Sequence, residues 1–330
     1  MRGLLALLAV VVIALPAAEQ PTTPDAMVAK GLAALVKLQA ADGTIGGSNV
    51  CTAISGMALL AGGHTPTRGV YRDASSKALK AVLARQDPFS GYLGADEGNM
   101  YAHGFAALYL AECYGMAPDV PVRRAVESAI DLIHKAQNQE GGWRYSPTPT
   151  DADISVTICQ VMALRAAYNV GLGGQASQNS INRAVAYVRR CQNADGSMNY
   201  VAGQGAVGAG ADGVPRTAAG AMSLIGSGVT DPADKSLGPA LTFLKRHVGD
   251  HLDGKGNHYW YGQYYAAQAL FHSPFPEDWE RYWAKAVPAI AKRQGADGLW
   301  PPEDNNLVFS TAMALIILQI PNNFLPIFQR

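Results

Sequence analysis

The densest run of side chains able to do chemistry is His258-Tyr259-Trp260-Tyr261-Gly262-Gln263-Tyr264-Tyr265. Aromatic faces with polar tips suit sugars, aromatic groups or peptides, because one side chain offers both a stacking surface and a hydrogen bond. Tyr101, His103, Arg216 and the run Trp143-Arg144-Tyr145 are of the same kind. Asp151 and Asp153 form the candidate carboxylate pair, in Asp151-Ala152-Asp153-Ile154. Glycoside chemistry needs such a pair, one carboxyl as acid and the other as base or nucleophile. The cysteines, Cys51, Cys113, Cys159 and Cys191, form no Cys-x-x-Cys pair, so zinc and redox spacings are absent. Buried free thiols are expected, with no metal and no cofactor.

The 330-residue chain carries 26 basic and 26 acidic residues, only 16% charged and 48% hydrophobic. That composition excludes a disordered chain and argues against nucleic-acid binding through bulk charge. Residues 1–18 have the parts of an export signal: Arg2, an apolar run from Leu4 to Leu15, and small residues at Ala17 and Ala18. The run is shorter than the ~20 residues a bilayer span needs. A secreted or periplasmic protein with a cleavable signal is expected, with residues 19–330 as a single domain.

The elements that must position these residues are repeats. A small residue (Gly31, Ala78, Ala129, Ala184, Ala240, Ala286) is followed four positions on by an aliphatic one (Leu35, Val82, Ile133, Val188, Leu244, Ile290). Four further on comes Gln39, Gln86, Gln137, Gln192, Val248 or Gln294, at intervals of 47, 51, 55, 56 and 46 residues. This spacing is one helical face. Gly43, Gly91, Gly141, Gly196, Gly254 and Gly298 then end each first helix. A second, nearly uncharged helix aligns on Leu59, Leu110, Leu164, Leu224, Leu270 and Leu318, with Thr52, His103, Thr157, Thr217, Gln263 and Thr311 seven residues earlier. Six hairpins with wet first helices and buried second helices predict two concentric rings, an all-α (α/α)6 toroid, with repeats near 26–63, 73–116, 122–173, 180–228, 234–272 and 280–320. An open solenoid would need polar capping repeats, and none is present.

Lys285-Ala286, Ile290, Gln294, Gly298 and Trp300 resemble the QW motif of squalene–hopene and terpenoid cyclases. Arg183-Ala184, Tyr187-Val188, Gln192 and Gly196 are similar, with Met198 in place of Trp, and Gln137, Gly141 and Trp143 form a partial third copy. The resemblance spans about residues 26–320 and extends to the toroid of protein prenyltransferase β subunits. Gly141-Gly142-Trp143-Arg144-Tyr145 and Tyr264-Tyr265-Ala266-Ala267-Gln268-Ala269-Leu270 look like the bacterial prenyltransferase/squalene-oxidase repeat proteins.

The resemblance implies two chemistries to look for. Class II terpene cyclases protonate an alkene or epoxide with the middle Asp of Asp-x-Asp-Asp, which Asp153 matches. Asp151 matches the first position, and Ile154 replaces the last Asp. The zinc triad of protein prenyltransferases has no counterpart, since no Asp-x-Cys occurs; His103 is the lone histidine on a second helix. The repeats give Asp153 another role: Ser48 and Asn99 stand at its equivalent positions, and Ser, Asn and Asp are preferred helix N-caps. Fold alone does not assign function. The leading expectation is a non-catalytic binding or scaffold protein whose central mouth is formed by Tyr101, His103, Tyr145, His258, Trp260, Tyr261 and Tyr264. Its partner is an isoprenoid, sugar or peptide, and an anionic group would be favoured by helix N-termini gathered there. The alternatives are a terpenoid cyclase using Asp153 or a secreted polysaccharide-acting toroid enzyme. Carboxylates in the mouth would favour the latter. The glycine-rich stretch 203–213 follows no strand and is expected to be a flexible loop or a flap over the mouth.

Overall fold

The computed structural model describes residues 23–95, 99–205, 208, 210–303 and 306–329. The expected export signal lies outside them. Among the described residues are twelve α-helices: α1 (Pro24–Lys37), α2 (Asn49–Ala61), α3 (Arg72–Ala84), α4 (Met100–Met116), α5 (Val120–Ala136), α6 (Ile154–Asn169), α7 (Gly174–Arg190), α8 (Val214–Gly226), α9 (Leu237–Leu252), α10 (Tyr259–Phe271), α11 (Pro276–Ala291) and α12 (Leu307–Gln319). They contain no β-strand, only isolated bridges. No helix among them is long and apolar enough to cross a membrane.

The even-numbered helices pack side by side from α2 to α12, and α12 returns to α2. The odd-numbered helices lie outside them, and α1 packs on α12 to close the outer ring. This is the (α/α)6 toroid that the repeats predict. The sequence pattern explains the two rings. In α5 the buried positions recur every three or four residues, a stripe facing one side. In α2 every residue except Val50 is buried, as an inner helix requires. All six aliphatic positions of the repeat are fully buried, and so are the five alanines that precede them.

A shared bonding system holds neighbouring repeats together. The six turn glycines have φ between +77° and +97°, the left-handed region. At Gly141 a Cβ would lie 2.3 Å from the Arg183 carbonyl oxygen of the next outer helix, so only glycine fits. The Gln before five of these turns uses its Nε2 twice, at 2.8–3.3 Å. One bond goes to its own turn glycine carbonyl. The other goes to a carbonyl in the N-terminal half of the next outer helix or at its cap: Ala74, Ala125, Ser180, Ser236 and, across the ring closure, Met27. Bonds of this type contribute about 1 kcal/mol each.

A second column of bonds joins turn to inner helix. Thr52, Thr157, Thr217 and Thr311 accept the backbone N–H of Ile45, Trp143, Met198 and Trp300 through Oγ1 at 3.0–3.1 Å. His103 stands in the same column and accepts the Leu93 N–H through Nδ1 at 3.1 Å. Trp143 and Trp300 are fully buried, and their indole N–H groups donate to the Ile133 and Ile290 carbonyls.

Among the described residues, the barrel is hollow at the end where the inner helices begin. The opposite end is filled by Tyr264 and Tyr265 and by the C-terminal segment. Leu325, Ile327 and Phe328 of that segment are buried, the Phe328 ring meets Tyr264 edge-on, and Ile327 N–H donates to Glu112 Oε2. All four cysteines are free and buried.

Candidate functional site

The open end holds a cavity of about 700 Å³. It is lined at the inner-helix N-termini by Tyr101, Ala102, Phe105, Ser155, Pro215, Arg216, Tyr261 and Phe309, with Val50 beside them. The preceding loops add Asn99, Tyr145, Tyr200, Asp212, Asn257, His258, Glu303 and Asn306. This size falls in the ordinary range of small-molecule sites.

One wall is made of tyrosines gathered about Ser155. Tyr101 Oη donates to Ser155 Oγ, and Ser155 Oγ donates to Asp153 Oδ1 at 2.6 Å. Tyr261 Oη donates to the Ser155 carbonyl at 3.1 Å, and Tyr145 and Tyr200 join hydroxyl to hydroxyl. The Arg144 guanidinium stacks over the Tyr145 and Tyr200 rings at 5.0 and 5.4 Å. Burial pushes the Tyr101, Tyr200 and Tyr261 phenols well above the usual tyrosine range. They are therefore neutral hydrogen-bonding groups at every ordinary pH, not bases.

The beginning of α10, which also carries Tyr261, forms another part of the lining. His258 holds its N-cap position in a left-handed conformation, φ 53° and ψ 55°, and makes no capping bond. Glu303, from the loop before α12, takes over: its Oε2 accepts the Trp260 N–H at 2.8 Å. On the other side, Asn257 Nδ2 approaches Asp212 Oδ1 at 3.5 Å. Arg216 donates to the carbonyls of Met198 and Gly208.

Of the mouth residues expected from the sequence, Tyr101, Tyr145, His258 and Tyr261 line the cavity. His103, Trp260 and Tyr264 do not. His103 is fully buried and bonded at both ring nitrogens, to Leu93 N–H and to the Ala129 carbonyl at 3.1 Å. Burial lowers its pKa to about 4, so it is a neutral structural imidazole. Trp260 and Tyr264 flank Tyr261 on α10, but the helical turn directs them into packing, at 2% and 1% exposure. At five inner-helix N-termini a side chain, from Ser48, Asn99, Asp153, Glu303 or Asn306, accepts one or two of the backbone N–H groups.

Asp153 is the N-cap of α6 and lies out of the cavity, behind Ser155. Its Oδ1 accepts Ser155 N–H at 2.8 Å, Val156 N–H at 2.9 Å and the Ser155 hydroxyl. Arg144 Nε stands 3.5 Å from Oδ2, and the residue is fully buried. Burial raises its pKa, against the pull of the Ser155 and Val156 bonds. Asp151 is exposed, 3.5 Å from Arg144, and absent from the cavity wall. These two carboxylates therefore do not face a ligand together. Sequence reasoning missed Tyr200, Asp212, Glu303, Asn306 and Phe309. Glu303 and Asn306 had one available signal, their place in the loop before the sixth inner helix. Of the glycine-rich stretch, Gly210–Gly213 forms a 3-10 turn that carries Asp212 to the cavity.

The family model for the prenyltransferase alpha-alpha toroid domain matches residues 48–238. Among solved structures, the chain is similar to a type II terpene cyclase, MstE from Scytonema. The identity is 16%, the TM-score 0.63, and the match covers 92% of this chain and 98% of that one. It is similar to an inactive variant of the alpha-1,6-mannanase GH76A of Salegentibacter in complex with alpha-1,6-mannotriose, at 8% identity and TM-score 0.63, over 89% of this chain and 97% of that one. A protein from Actinoplanes matches at 16% identity and TM-score 0.61, over 89% and 98%. Identities this low establish likeness of fold alone. No curated protein matches the sequence.

Proposed function

The chain belongs to the prenyltransferase α/α-toroid domain family, and from that premise we propose that its mouth binds a short, uncharged oligosaccharide. The observation that carries this reading is the composition of the cavity wall. Four tyrosines and two phenylalanines supply stacking faces, while Asn99, Asp212, Asn257, Glu303 and Asn306 supply polar edges all round. A sugar ring has apolar faces and a rim of hydroxyls, and each part finds its complement here. An isoprenoid chain would leave that polar rim desolvated and unpaired, at a cost of about 1–3 kcal/mol per group. An anionic ligand would meet two carboxylates against one guanidinium that is already bonded to protein carbonyls. The mannotriose complex of the similar mannanase adds precedent for a sugar on this fold.

The cyclase reading has less support, because a proton donor must reach its substrate. Asp153 lies behind the Ser155, Tyr101 and Tyr200 hydroxyls and does not itself line the cavity. We also read the Gln-anchored turns as relatives of the QW motif, and residues 1–18 as an export signal; N-terminal sequencing of the mature protein checks the latter.

Titration of the protein with neutral gluco-, manno- and xylo-trioses, followed by tryptophan and tyrosine fluorescence, tests the binding reading. At least one triose is expected to bind, and Tyr145→Ala is expected to weaken it about tenfold. Tyr168→Ala, at the other end of the barrel and equally exposed, is expected to leave binding unchanged. Binding of geranylgeraniol with none of the sugars would overturn the reading.

A further inference from the structure

Sugar binding alone leaves one half of the cavity lining without a use. We propose that the mouth takes a sugar carrying a compact apolar aglycone, an aryl glycoside, whose aryl ring is held by the side chains of α12, α2 and α4; this rests on the oligosaccharide reading of the cavity.

The argument starts from the order of helices round the ring. α12 packs on α2 and α2 on α4, so these three make one contiguous half, and α6, α8 and α10 make the other. The helices of the first half line the cavity with Phe309, Val50, Tyr101, Ala102 and Phe105. None of these five is charged, and the one polar group among them, the Tyr101 hydroxyl, is turned to Ser155 on α6. The second half lines it with Ser155, Arg216 and Tyr261 from its helices and Asp212, Asn257 and His258 from the preceding loops. The hydroxyls of a sugar find partners on the second half. On the helices of the first they would lose those they have in water.

The polar residues that stand above the apolar half are already engaged. Asn306 Oδ1 accepts the Phe309 N–H at 2.9 Å, and its Nδ2 lies 3.1 Å from Cys51 Sγ. Asn99 Oδ1 accepts the Ala102 N–H at 3.1 Å. Glu303, in the loop before α12, is drawn to the α10 side by its bond with the Trp260 N–H. The cavity is therefore polar at its rim and along one side, and apolar below the rim on the other. A glycoside has the same division, with hydroxyls at one end and an apolar group at the other.

Depth sets the size of that group. Phe105 lies one helical turn below Tyr101 on α4. Its ring centroid is 6.1 Å from that of Tyr264, which is buried and backed by Phe328. Beyond this floor the barrel is filled, so the space suits a ring and not a long chain. Phe105 and Phe309 offer that ring faces and edges on which to pack.

The test is calorimetric titration of the full chain with methyl, phenyl and octyl glycosides of glucose, mannose and xylose, in both anomers, beside the trioses. For a sugar that binds, the phenyl glycoside is expected to bind about tenfold or more tighter than the methyl one. The octyl glycoside, below its micelle concentration, is expected to stay within about threefold of the phenyl. Phe309→Ala is expected to cut the phenyl-to-methyl ratio to about threefold or less. Tyr145→Ala, at the rim, is expected to weaken both glycosides and keep the ratio. Because the ratio cancels any stacking on the sugar itself, it reads the aglycone alone. A melting curve separates loss of fold, and Val50→Thr, of similar shape, is expected to lower the ratio where Phe309→Ala does not fold. Binding of a triose without a phenyl preference overturns the aglycone site and leaves the sugar reading standing. A ratio unchanged in folded Phe309→Ala, or an octyl glycoside more than about tenfold tighter than the phenyl, also overturns it. Failure of every triose and glycoside to bind overturns the reading on which it rests.

Discussion

The third and fifth repeats share one backbone plan and use it differently. In the third, Gln137 bonds to Gly141 and Ser180, Thr157 accepts the Trp143 N–H, and Asp153 caps α6. Each of these bonds is internal to the scaffold. In the fifth, the first two positions hold Val248 and Gln263, and the N-cap of α10 is His258. Gln263 turns to His251 and Tyr282, while Arg293 reaches the Leu252 carbonyl and Lys245 pairs with Asp278 at 3.3 Å, linking neighbouring outer helices. The difference teaches where to look for function in a repeat protein. A polar residue that obeys the column is bonding the repeat, however catalytic its type; one that departs from the column has been released for another task.

The largest effect that could break this comparison is at the turns. In Gly141→Ala the new Cβ meets a backbone carbonyl at 2.3 Å and a φ of +97°. At Gly254, with φ +90°, it meets only the flexible Arg293 side chain at 3.3 Å. Gly141→Ala is expected to destabilise the fold by about 4 kcal/mol or more, and Gly254→Ala by about 1–2 kcal/mol. Denaturant melts of both variants check the ranking. Equal losses would mean that the fifth turn is bonded as tightly as the third.

The next effect comes from the second repeat, where His103 does a threonine's work. Its folded pKa of about 4 lies below the ordinary 6.5 because burial penalises the charged ring. A depressed pKa gives stability that is present above pH 6.5 and lost as pH falls toward 4. The difference amounts to about 3 kcal/mol. His103→Thr restores the residue of the other columns and removes that loss. Its stability is expected to fall less between pH 6.5 and 4 than that of the parent, by about that amount. Parallel pH–stability curves would show that the imidazole is not held neutral.

How much of this was legible in the sequence follows the same division. The 3.6-residue period, the Gln and the turn glycines are local and recurrent, so the helices, their pairing and the closed ring could be read directly. Asp153 could be read as a cap because Ser48 and Asn99 share its column. His103 could have been read as structural on the same ground, since Thr52 and Thr157 flank it in register. The cavity was harder. Tyr261 faces the ligand while Trp260 and Tyr264 do not, and that depends on the rotation of α10 about its axis. Asp212, Tyr200 and Glu303 come from loops that the helical period does not govern. The C-terminal segment that fills the far end makes its contacts, such as Ile327 with Glu112, across 215 residues of chain, beyond any local pattern.

The smallest effect restores the missing column member. Val248→Gln places an amide where five other repeats use one, beside the Gly254 turn, whose φ of +90° matches its counterparts. If the fifth repeat keeps the shared backbone plan, the new Nε2 donates to the Gly254 carbonyl and to the start of α11. Two such bonds, less the desolvation of a longer polar side chain, should raise stability by about 1 kcal/mol. Val248 is 7% exposed, so an amide that misses its partners is largely buried and unpaired instead. A loss of about 1–3 kcal/mol would then be measured. That sign would show that α9 and α11 have moved out of register with the other outer pairs. The valine would then belong to the reshaped repeat that carries His258, where the gain would have marked it as an isolated substitution on an intact plan.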